Sequence, residues 1–468
     1  MCSSAGRSAC WASRADRRTP DVTDRRRFLL GAAADYTTAV SATERSATLA
    51  HDRGARPSRS REVIASGGLR IGVFGVAGGD WIAGGRHLVN LLAALRAADP
   101  RAVETFLVNP DDRLLADLGE LDLPTAGIVR YALPRRRTPR SVLNSAARRI
   151  LSLDPTADRE LAAAGVRVAF GNVLPYRLRR VKTVSWIPDL QHVHLPDHFS
   201  EDERERRSAA FRRCMAVSDR VVVTSASVRD DLARLAPAHA AKCVVLHPAS
   251  AFPAAVYRAD PREVVAAYRL PEKFFYLPNH FWTHKNHAAV LEAVRILRDR
   301  GQRIVVVMTG IAADFRAPGY PSEFFRRVAE LGLREQLIYL GVVPRRHVAM
   351  LMRQCLAVVN PSLFEGWGYS VSEATALGRP VILSDIPVHR EQNPPTASFF
   401  PPDDNGALAA ALDTAWNDFQ PGEDPQRAAC ANEAGARRVR EYGELFINML
   451  QELLGETPNR TVLTPRSG

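Results

Sequence analysis

Short apolar runs rich in β-branched and aromatic residues alternate with segments of helical periodicity, and the whole series runs through once, pauses and starts again. No other feature limits the fold as much. The first series opens at Leu69-Arg70-Ile71-Gly72-Val73-Phe74-Gly75, which reads as a buried strand running into a glycine turn. Gly78, Gly79, Gly84 and Gly85 follow, and over Arg86 to Leu95 the residues Leu88, Leu91, Leu92 and Leu95 recur at helical spacing. Further strands are expected at Glu104 to Val108, Val166 to Phe170, Thr183 to Ile187, Arg220 to Thr224 and Cys243 to Leu246, with helices such as Glu203 to Ala216 between them.

The stretch Ala251 to Pro271 reads as a connection, after which the pattern restarts. Strands are expected at Phe274 to Leu277, Ile304 to Met308, Leu337 to Leu340, Leu356 to Val359 and Val381 to Leu383. They alternate with helices at Asn286 to Arg298, Ser322 to Leu331, Arg346 to Arg353 and Tyr369 to Leu377, and a helical tail runs from about Ala407 to Leu454. Alternation of this kind predicts an α/β protein with two doubly wound parallel sheets facing a cleft, and open sheets of this type bind ligands beyond the carboxyl ends of their strands.

A chain of 468 residues is too long for one core and suits two domains. The expected division is an Arg-rich, disordered extension at 1–66, an N-terminal domain at 67–252 and a C-terminal domain at 253–425. A helix at 426–456 is expected to pack back toward the N-terminal domain, ahead of a tail at 457–468. The extension holds 12 Arg against 7 Asp plus Glu, with many Ser, Ala and Thr and no sustained apolar period. Within it, Arg25-Arg26-Arg27-Phe28-Leu29-Leu30-Gly31 is similar to a twin-arginine export signal, but the apolar run stops at Asp35 and no cleavage site follows. The plainer reading is an over-long start or a basic arm that seeks a membrane surface.

Nothing in the sequence approaches the roughly 18 uninterrupted apolar residues of a membrane span. Cys2, Cys10, Cys214, Cys243, Cys355 and Cys430 form neither a CxxC pair nor a regular framework, which argues against zinc and against a disulfide scaffold. A cytoplasmic setting is expected. The net charge of +12 is carried almost wholly by arginine, because Lys182, Lys242, Lys273 and Lys285 are the only lysines. A lysine inside a motif is therefore informative.

Chemistry concentrates in Asn360-Pro361-Ser362-Leu363-Phe364-Glu365-Gly366-Trp367-Gly368-Tyr369-Ser370-Val371-Ser372-Glu373-Ala374-Thr375-Ala376-Leu377-Gly378-Arg379-Pro380. This stretch leaves a buried strand, crosses two glycines and enters a short helix that Gly378 ends. Gly366 and Gly368 would let backbone approach a ligand, and the amides of Trp367, Gly368, Tyr369 and Ser370 open a helix whose partial positive charge suits phosphate oxygens. Glu365 precedes the helix and Glu373 sits about one turn inside it, so one carboxylate can reach a sugar while the other reaches a ribose. A second cluster, Leu277-Pro278-Asn279-His280-Phe281-Trp282-Thr283-His284-Lys285-Asn286-His287, ends another strand and puts the Lys285 ammonium at the cleft lip, where it could neutralise a leaving diphosphate.

Joined in one order with Gly378-Arg379-Pro380-Val381-Ile382-Leu383-Ser384-Asp385 and Pro387-Val388-His389-Arg390-Glu391, these motifs resemble the family 4 glycosyltransferases. That large group of retaining GT-B enzymes, built of two Rossmann-like domains, includes sucrose synthases and many lipopolysaccharide and O-antigen sugar transferases. The resemblance runs over about Leu69 to Leu454 and is strongest in the second half. It implies a nucleotide-sugar donor held by the C-terminal domain, with Glu365 near the sugar hydroxyls, Glu373 on the ribose, and Asn279, Lys285, Gly366, Trp367, Gly368, Tyr369, Ser370 and Glu373 around the donor. Gly84 and Gly85 would let the first loop of the N-terminal domain reach the diphosphate.

Many family members carry an arginine near Asn279 as a second phosphate cation, and this chain has none there. Either His280 or His284 supplies the charge, or Lys285 and the helix amides suffice. No Asp-x-Asp pair stands in a donor-site position, so neither a metal nor another cofactor is expected. On the acceptor side, Trp186-Ile187-Pro188-Asp189-Leu190-Gln191-His192-Val193-His194 resembles the D-x-Q-H stretch of bacterial members and offers Asp189 and His192. His192 either hydrogen-bonds a reacting hydroxyl or packs locally.

The arginines at Arg135-Arg136-Arg137, Arg148-Arg149 and Arg177 to Arg180 could face anionic headgroups or a lipid pyrophosphate, giving peripheral contact with the inner face of a membrane. No aromatic-basic motif accompanies them, which argues against nucleic acid. The function implied is hexosyl transfer to a saccharide or lipid-linked acceptor in cell-surface polysaccharide biosynthesis, with GDP-mannose preferred over UDP-hexoses and mannosyl transfer the leading case. The alternatives are a GT-B nucleotide-sugar epimerase and a noncatalytic sugar-nucleotide-binding protein.

Overall fold

The structure is a computed structural model that describes residues 68–75, 82–131 and 138–457. The extension expected at 1–66, Gly78, Gly79, Arg135-Arg136-Arg137 and nearly all of the 457–468 tail lie outside the described residues. The N-terminal half begins with β1 (Leu69–Phe74), α1 (Ile82–Ala98), β2 (Val103–Val108), α2 (Asp112–Glu120), β3 (Gly127–Val129), α3 (Pro139–Ile150) and α4 (Pro155–Ala163). It continues through β4 (Val168–Asn172), β5 (Lys182–Ile187), α5 (Gln191–His194), α6 (Glu201–Val217), β6 (Arg220–Val223), α7 (Ala226–Leu235) and β7 (Cys243–Val245).

The chain then forms α8 (Ala254–Arg258), α9 (Pro261–Ala267), β8 (Phe275–Leu277), α10 (His287–Asp299), β9 (Val306–Met308), α11 (Tyr320–Glu330), β10 (Leu337–Tyr339) and α12 (Arg345–Gln354). The last elements are β11 (Val358–Asn360), α13 (Tyr369–Ala376), β12 (Val381–Ser384), α14 (Pro387–Gln392), β13 (Ala397–Phe400), α15 (Asn405–Asp418) and α16 (Pro425–Leu454).

Every described pairing is parallel. One sheet has the order β3-β2-β1-β4-β5-β6-β7 and the other β10-β9-β8-β11-β12-β13. Parallel strands buried on both faces need near-continuous apolar runs, which is why Val221, Val222 and Val223 are all buried, as are Val358 and Val359. In each sheet the order reverses beside the first strand, between β1 and β4 and again between β8 and β11, and such switch points open a crevice at the carboxyl edge. The segments after β8 and β11 are the two that the sequence singled out.

The eleven strands read from the sequence form within about two residues of their expected positions. β3 and β13, both at sheet edges, went unread because each is short and half-exposed on part of its length. The expected connection over Ala251 to Pro271 is more ordered than a linker. It forms α8 and α9, and Val256, Val264 and Val265 pack with Met350 and Leu351 of α12 in the core of the second half. Asp260 caps α9 by accepting from the Arg262 amide, and Pro261 stands at its first position, where a missing N–H costs nothing.

The helical tail divides at residues 419–424. Leu408, Ala409, Leu412 and Ala415 of α15 join the second core. The apolar face of α16, by contrast, crosses to the first half, where Val439, Tyr442, Phe446, Ile447, Met449 and Leu450 pack with Ile71, Val73, Leu88, Leu91 and Leu95. Full burial of one such side chain contributes about 1.5–3 kcal/mol, so this face is a major part of the first core. The two helices touch backbone to backbone: a side chain on Gly443 would overlap the Ala94 carbonyl oxygen.

Candidate functional site

At the carboxyl edge of the second sheet, Glu365 and Lys285 form an ion pair at 2.5 Å. Their side chains keep only 8% and 14% of their exposure. The Ser362 hydroxyl donates to the same carboxylate oxygen at 2.7 Å. Asn360, at the end of β11, ties this network together: its Oδ1 accepts from the Ser362 backbone amide at 3.2 Å, and its own amide donates to the Ser370 hydroxyl at 3.0 Å. Burial opposes charge on Glu365, but Lys285 and Ser362 outweigh it and hold the carboxyl below its ordinary range. Asn279 is buried and donates weakly to Asn360 at 3.5 Å, so the segments after β8 and β11 are linked directly.

Gly368 has φ 84° and caps α13, a left-handed position that a residue with a side chain would strain. His389 of α14 packs against this glycine. Its Nδ1 hydrogen-bonds the Ser384 carbonyl at 2.8 Å, which fixes the tautomer and leaves a buried Nε2 about 3.5 Å from where a side chain on Gly368 would start. Burial lowers its basicity despite nearby Glu365. In the sequence His389 stands in the Pro387-Val388-His389-Arg390-Glu391 motif, which by itself does not say what the ring faces.

The first half meets this edge through a series of specific contacts. Thr224, just past β6, donates to the Gly366 carbonyl at 2.9 Å. A side chain on Gly366 would overlap the Pro188 carbonyl oxygen and crowd the Asp189 side chain. This corrects the expectation that Gly366 makes room for a ligand: its missing side chain makes room for the loop after β5. Trp367 stacks on His247 with ring centroids 5.0 Å apart, and His247 reaches Glu391 at 2.8 Å. The Tyr369 hydroxyl meets Nδ1 of His87 at 2.7 Å. His87 lies flat against Trp186, with centroids 3.7 Å apart, and burial holds its pKa near 3, so it is a neutral partner. Glu373 pairs with Arg86 at 3.3 Å.

Gly84 and Gly85 also need correcting. They lie inside the first turn of α1 and not in a loop; a side chain on Gly85 would enter open space. What this turn brings to the second half is the pair Arg86 and His87. The clue was adjacency to the glycines, but arginine is too common in this chain to stand out.

The open question of a second phosphate cation also narrows. Burial puts His284 well below its ordinary pKa, with Lys285 and Arg316 adding to the effect, and Nδ1 of His280 accepts a hydrogen bond from the Ile311 amide. Neither histidine is built to carry charge. Arg316 lies over the Phe199 ring, 4.5 Å from its centroid, so it bridges from the loop after β9 to the first half.

Asp189 accepts from the Gln191 amide at 3.0 Å; burial raises its carboxyl above the ordinary range, and Glu365 adds to the rise. His192 is buried. Its Nε2 meets the Ser208 hydroxyl at 2.9 Å and its ring packs edge-on against Phe199 and Phe211, with burial holding it near pKa 4. That geometry fits the local-packing reading of this residue.

Residues 264–435 match the family model described as glycosyl transferases group 1. That match lies within the second half of the chain. The chain is 24% identical over 237 residues to the O-antigen chain mannosyltransferase RfbU of Salmonella typhimurium, a match covering 50% of this chain and 61% of that one. It is 27% identical over 142 residues to O-antigen chain mannosyltransferase B of Escherichia coli, covering 29% and 36%. The chain thus spans less than two thirds of these relatives' length. Among solved structures it is similar to Anabaena Alr3699/HepE, determined in complex with UDP-glucose, with a TM-score of 0.59, 17% identity, and coverage of 82% of this chain and 100% of the other. The fold is GT-B. Both halves of the chain take part in that likeness, and the stretch matched by the group 1 model includes Lys285, Glu365 and Glu373.

Proposed function

We propose that this protein is a retaining glycosyltransferase that moves a hexose from a nucleoside diphosphate sugar to a saccharide or lipid-linked acceptor in cell-surface polysaccharide assembly. The observation that carries this reading is the grouping, at the β8/β11 switch point, of the Glu365–Lys285 pair, the amide end of α13 and Glu373. The α13 amides and Lys285 take the diphosphate, Glu365 the sugar hydroxyls and Glu373 the ribose. The acceptor oxygen attacks the anomeric carbon on the face the diphosphate leaves, and the departing phosphate oxygen takes the acceptor's proton. Charge developing on that leaving group is met by fixed cations and amides, and no metal is invoked. The O-antigen mannosyltransferase relatives make GDP-mannose the first donor to try, and the UDP-glucose complex of the structural neighbour makes UDP-hexoses the second.

Thermal-shift titration with UDP, GDP and ADP tests the donor site. One of the three is expected to raise the midpoint, since a ligand at about 100 times its Kd adds about 2.7 kcal/mol to the folded state. Glu373→Gln should weaken that ligand, and no shift with any of the three would remove the reading. Incubation with donor then separates outcomes: transfer releases a nucleoside diphosphate, an epimerase converts the sugar without releasing it, and a binding protein does neither.

The acceptor side suits an anionic membrane surface. Val142, Leu143, Ile150 and Leu151 are 60–78% exposed along and just after α3. Arg149, Arg177, Arg179 and Arg180 are exposed beside the end of that helix, and the Arg177 amide bonds the Ser152 carbonyl at 2.7 Å. Apolar side chains ringed by arginines match the boundary between acyl chains and anionic headgroups. The protein is expected to float with vesicles containing anionic phospholipid and not with zwitterionic ones, and Ile150→Glu with Leu151→Glu should abolish flotation. Equal behaviour with both vesicle types would discard the membrane contact.

A further inference from the structure

The two acidic residues of the site each hold a cation, but in different ways. Glu365 and Lys285 come from the same half, and the carboxylate oxygen that receives the ammonium also accepts from Ser362. Glu373 is paired across the seam with Arg86, one turn inside α1. That contact is looser, with a shortest approach of 3.3 Å from a guanidinium nitrogen to Oε1. An arginine in this position, with 18% of its side chain exposed, keeps donors unused, because its planar fork can serve two oxygens at once.

We propose that Arg86 exchanges anions during donor binding, giving up the Glu373 carboxylate to the ribose hydroxyls and turning its fork to the diphosphate. The inference rests on the donor reading above and supplies the second phosphate cation that the region near Asn279 lacks. Three observations favour it. His280 and His284 are not built as cations. Arg316 is held over Phe199 and Phe315, at 4.5 Å from each ring. Arg86 lies a turn inside α1, the helix after β1 at the switch point of the first sheet, and reaches Glu373 of α13 from the first half, whereas Lys285 belongs to the second.

The exchange leaves the net charge of the occupied site unchanged and keeps each charged group hydrogen-bonded. The ion pairs Glu365–Lys285 and Glu373–Arg86 are each neutral, so an arriving diphosphate brings uncompensated negative charge. Ribose hydroxyls donating to Glu373 satisfy its oxygens, and the guanidinium is then free to meet the phosphates. Neither buried group is left without a partner at any stage.

Isothermal titration of wild type, Arg86→Met and Arg86→Lys tests this, using whichever of UDP, GDP or ADP binds the wild type and the matching nucleoside. Arg86→Met is expected to weaken the diphosphate by about 10- to 100-fold, the range of a charge-assisted contact, and to leave nucleoside affinity unchanged or tighter. Arg86→Lys should recover part of the loss. Nucleoside binding by each variant also shows that the site has folded. Equal weakening of both ligands would make Arg86 only a fastener for Glu373, and unchanged diphosphate affinity would overturn the exchange directly. A wild type that binds none of the three diphosphates removes the donor reading and this proposal together, which is a different result from a wild type that binds and a variant that matches it.

Discussion

Replacing Lys285 with methionine is expected to lower the thermal midpoint by roughly 6–12 °C and to cut sugar transfer by about 100- to 1,000-fold. The stability loss arises because Glu365 keeps only 8% of its side-chain exposure and would be left with Ser362 and a distant Asn360 amide. Breaking a buried pair from one side costs about 3–5 kcal/mol, and uptake of a proton by the abandoned carboxyl relieves part of that. The double variant Lys285→Met with Glu365→Gln removes both charges. It should recover more than half of the lost midpoint and none of the transfer, which separates packing from chemistry. Differential scanning calorimetry with a donor-turnover assay reads both. A single variant as stable as the wild type would refute the burial argument, and one with full turnover would remove Lys285 from the reaction.

Gly366→Ala should be nearly as damaging to transfer by another route. The added carbon would overlap the Pro188 carbonyl oxygen, and backbone on both sides of the contact leaves little room to yield. The loop after β5 must then back away, and the hydrogen bond from Thr224 to the Gly366 carbonyl lengthens with it. A displacement of about 1 Å between the groups that position two substrates lowers turnover by about 100-fold. Nucleotide affinity should change far less, because the Glu365 network is held within the second half. Steady-state kinetics beside calorimetric titration distinguishes this from local unfolding, in which both would fall. Turnover within twofold of the wild type would mean that the two loops do not need to touch.

These two residues also show what the sequence could and could not reveal. Lys285 was legible because lysine is rare in this chain and because it follows a strand whose end faces the switch point. Glu365 and Glu373 were legible through their place beside a glycine turn and a short helix. Gly366 was recognised as a site of close approach, but a sequence does not say what approaches, and the partner is another loop of the same chain. Arg86 was hidden by abundance. For His192 the sequence leaves both a reacting hydroxyl and local packing open, and the structure places it against Ser208, Phe199 and Phe211. The two unread strands failed for a general reason, since edge strands need neither length nor a continuous apolar face. The tail is divided at residue 425 in the sequence, with the last helix assigned to the N-terminal half, and α16 begins at Pro425 with its apolar face in the first core.

That division bears on how the protein is made. The first core stands without one wall until α16 arrives, and α16 is the last described element to be synthesised. The early half of the nascent chain is therefore expected to remain an unfinished sheet with Leu88, Leu91 and Leu95 uncovered, and the later half to close around α15 soon after it emerges. Maturation is expected to run against the order of translation, and chaperone demand to peak on the segment that was made first.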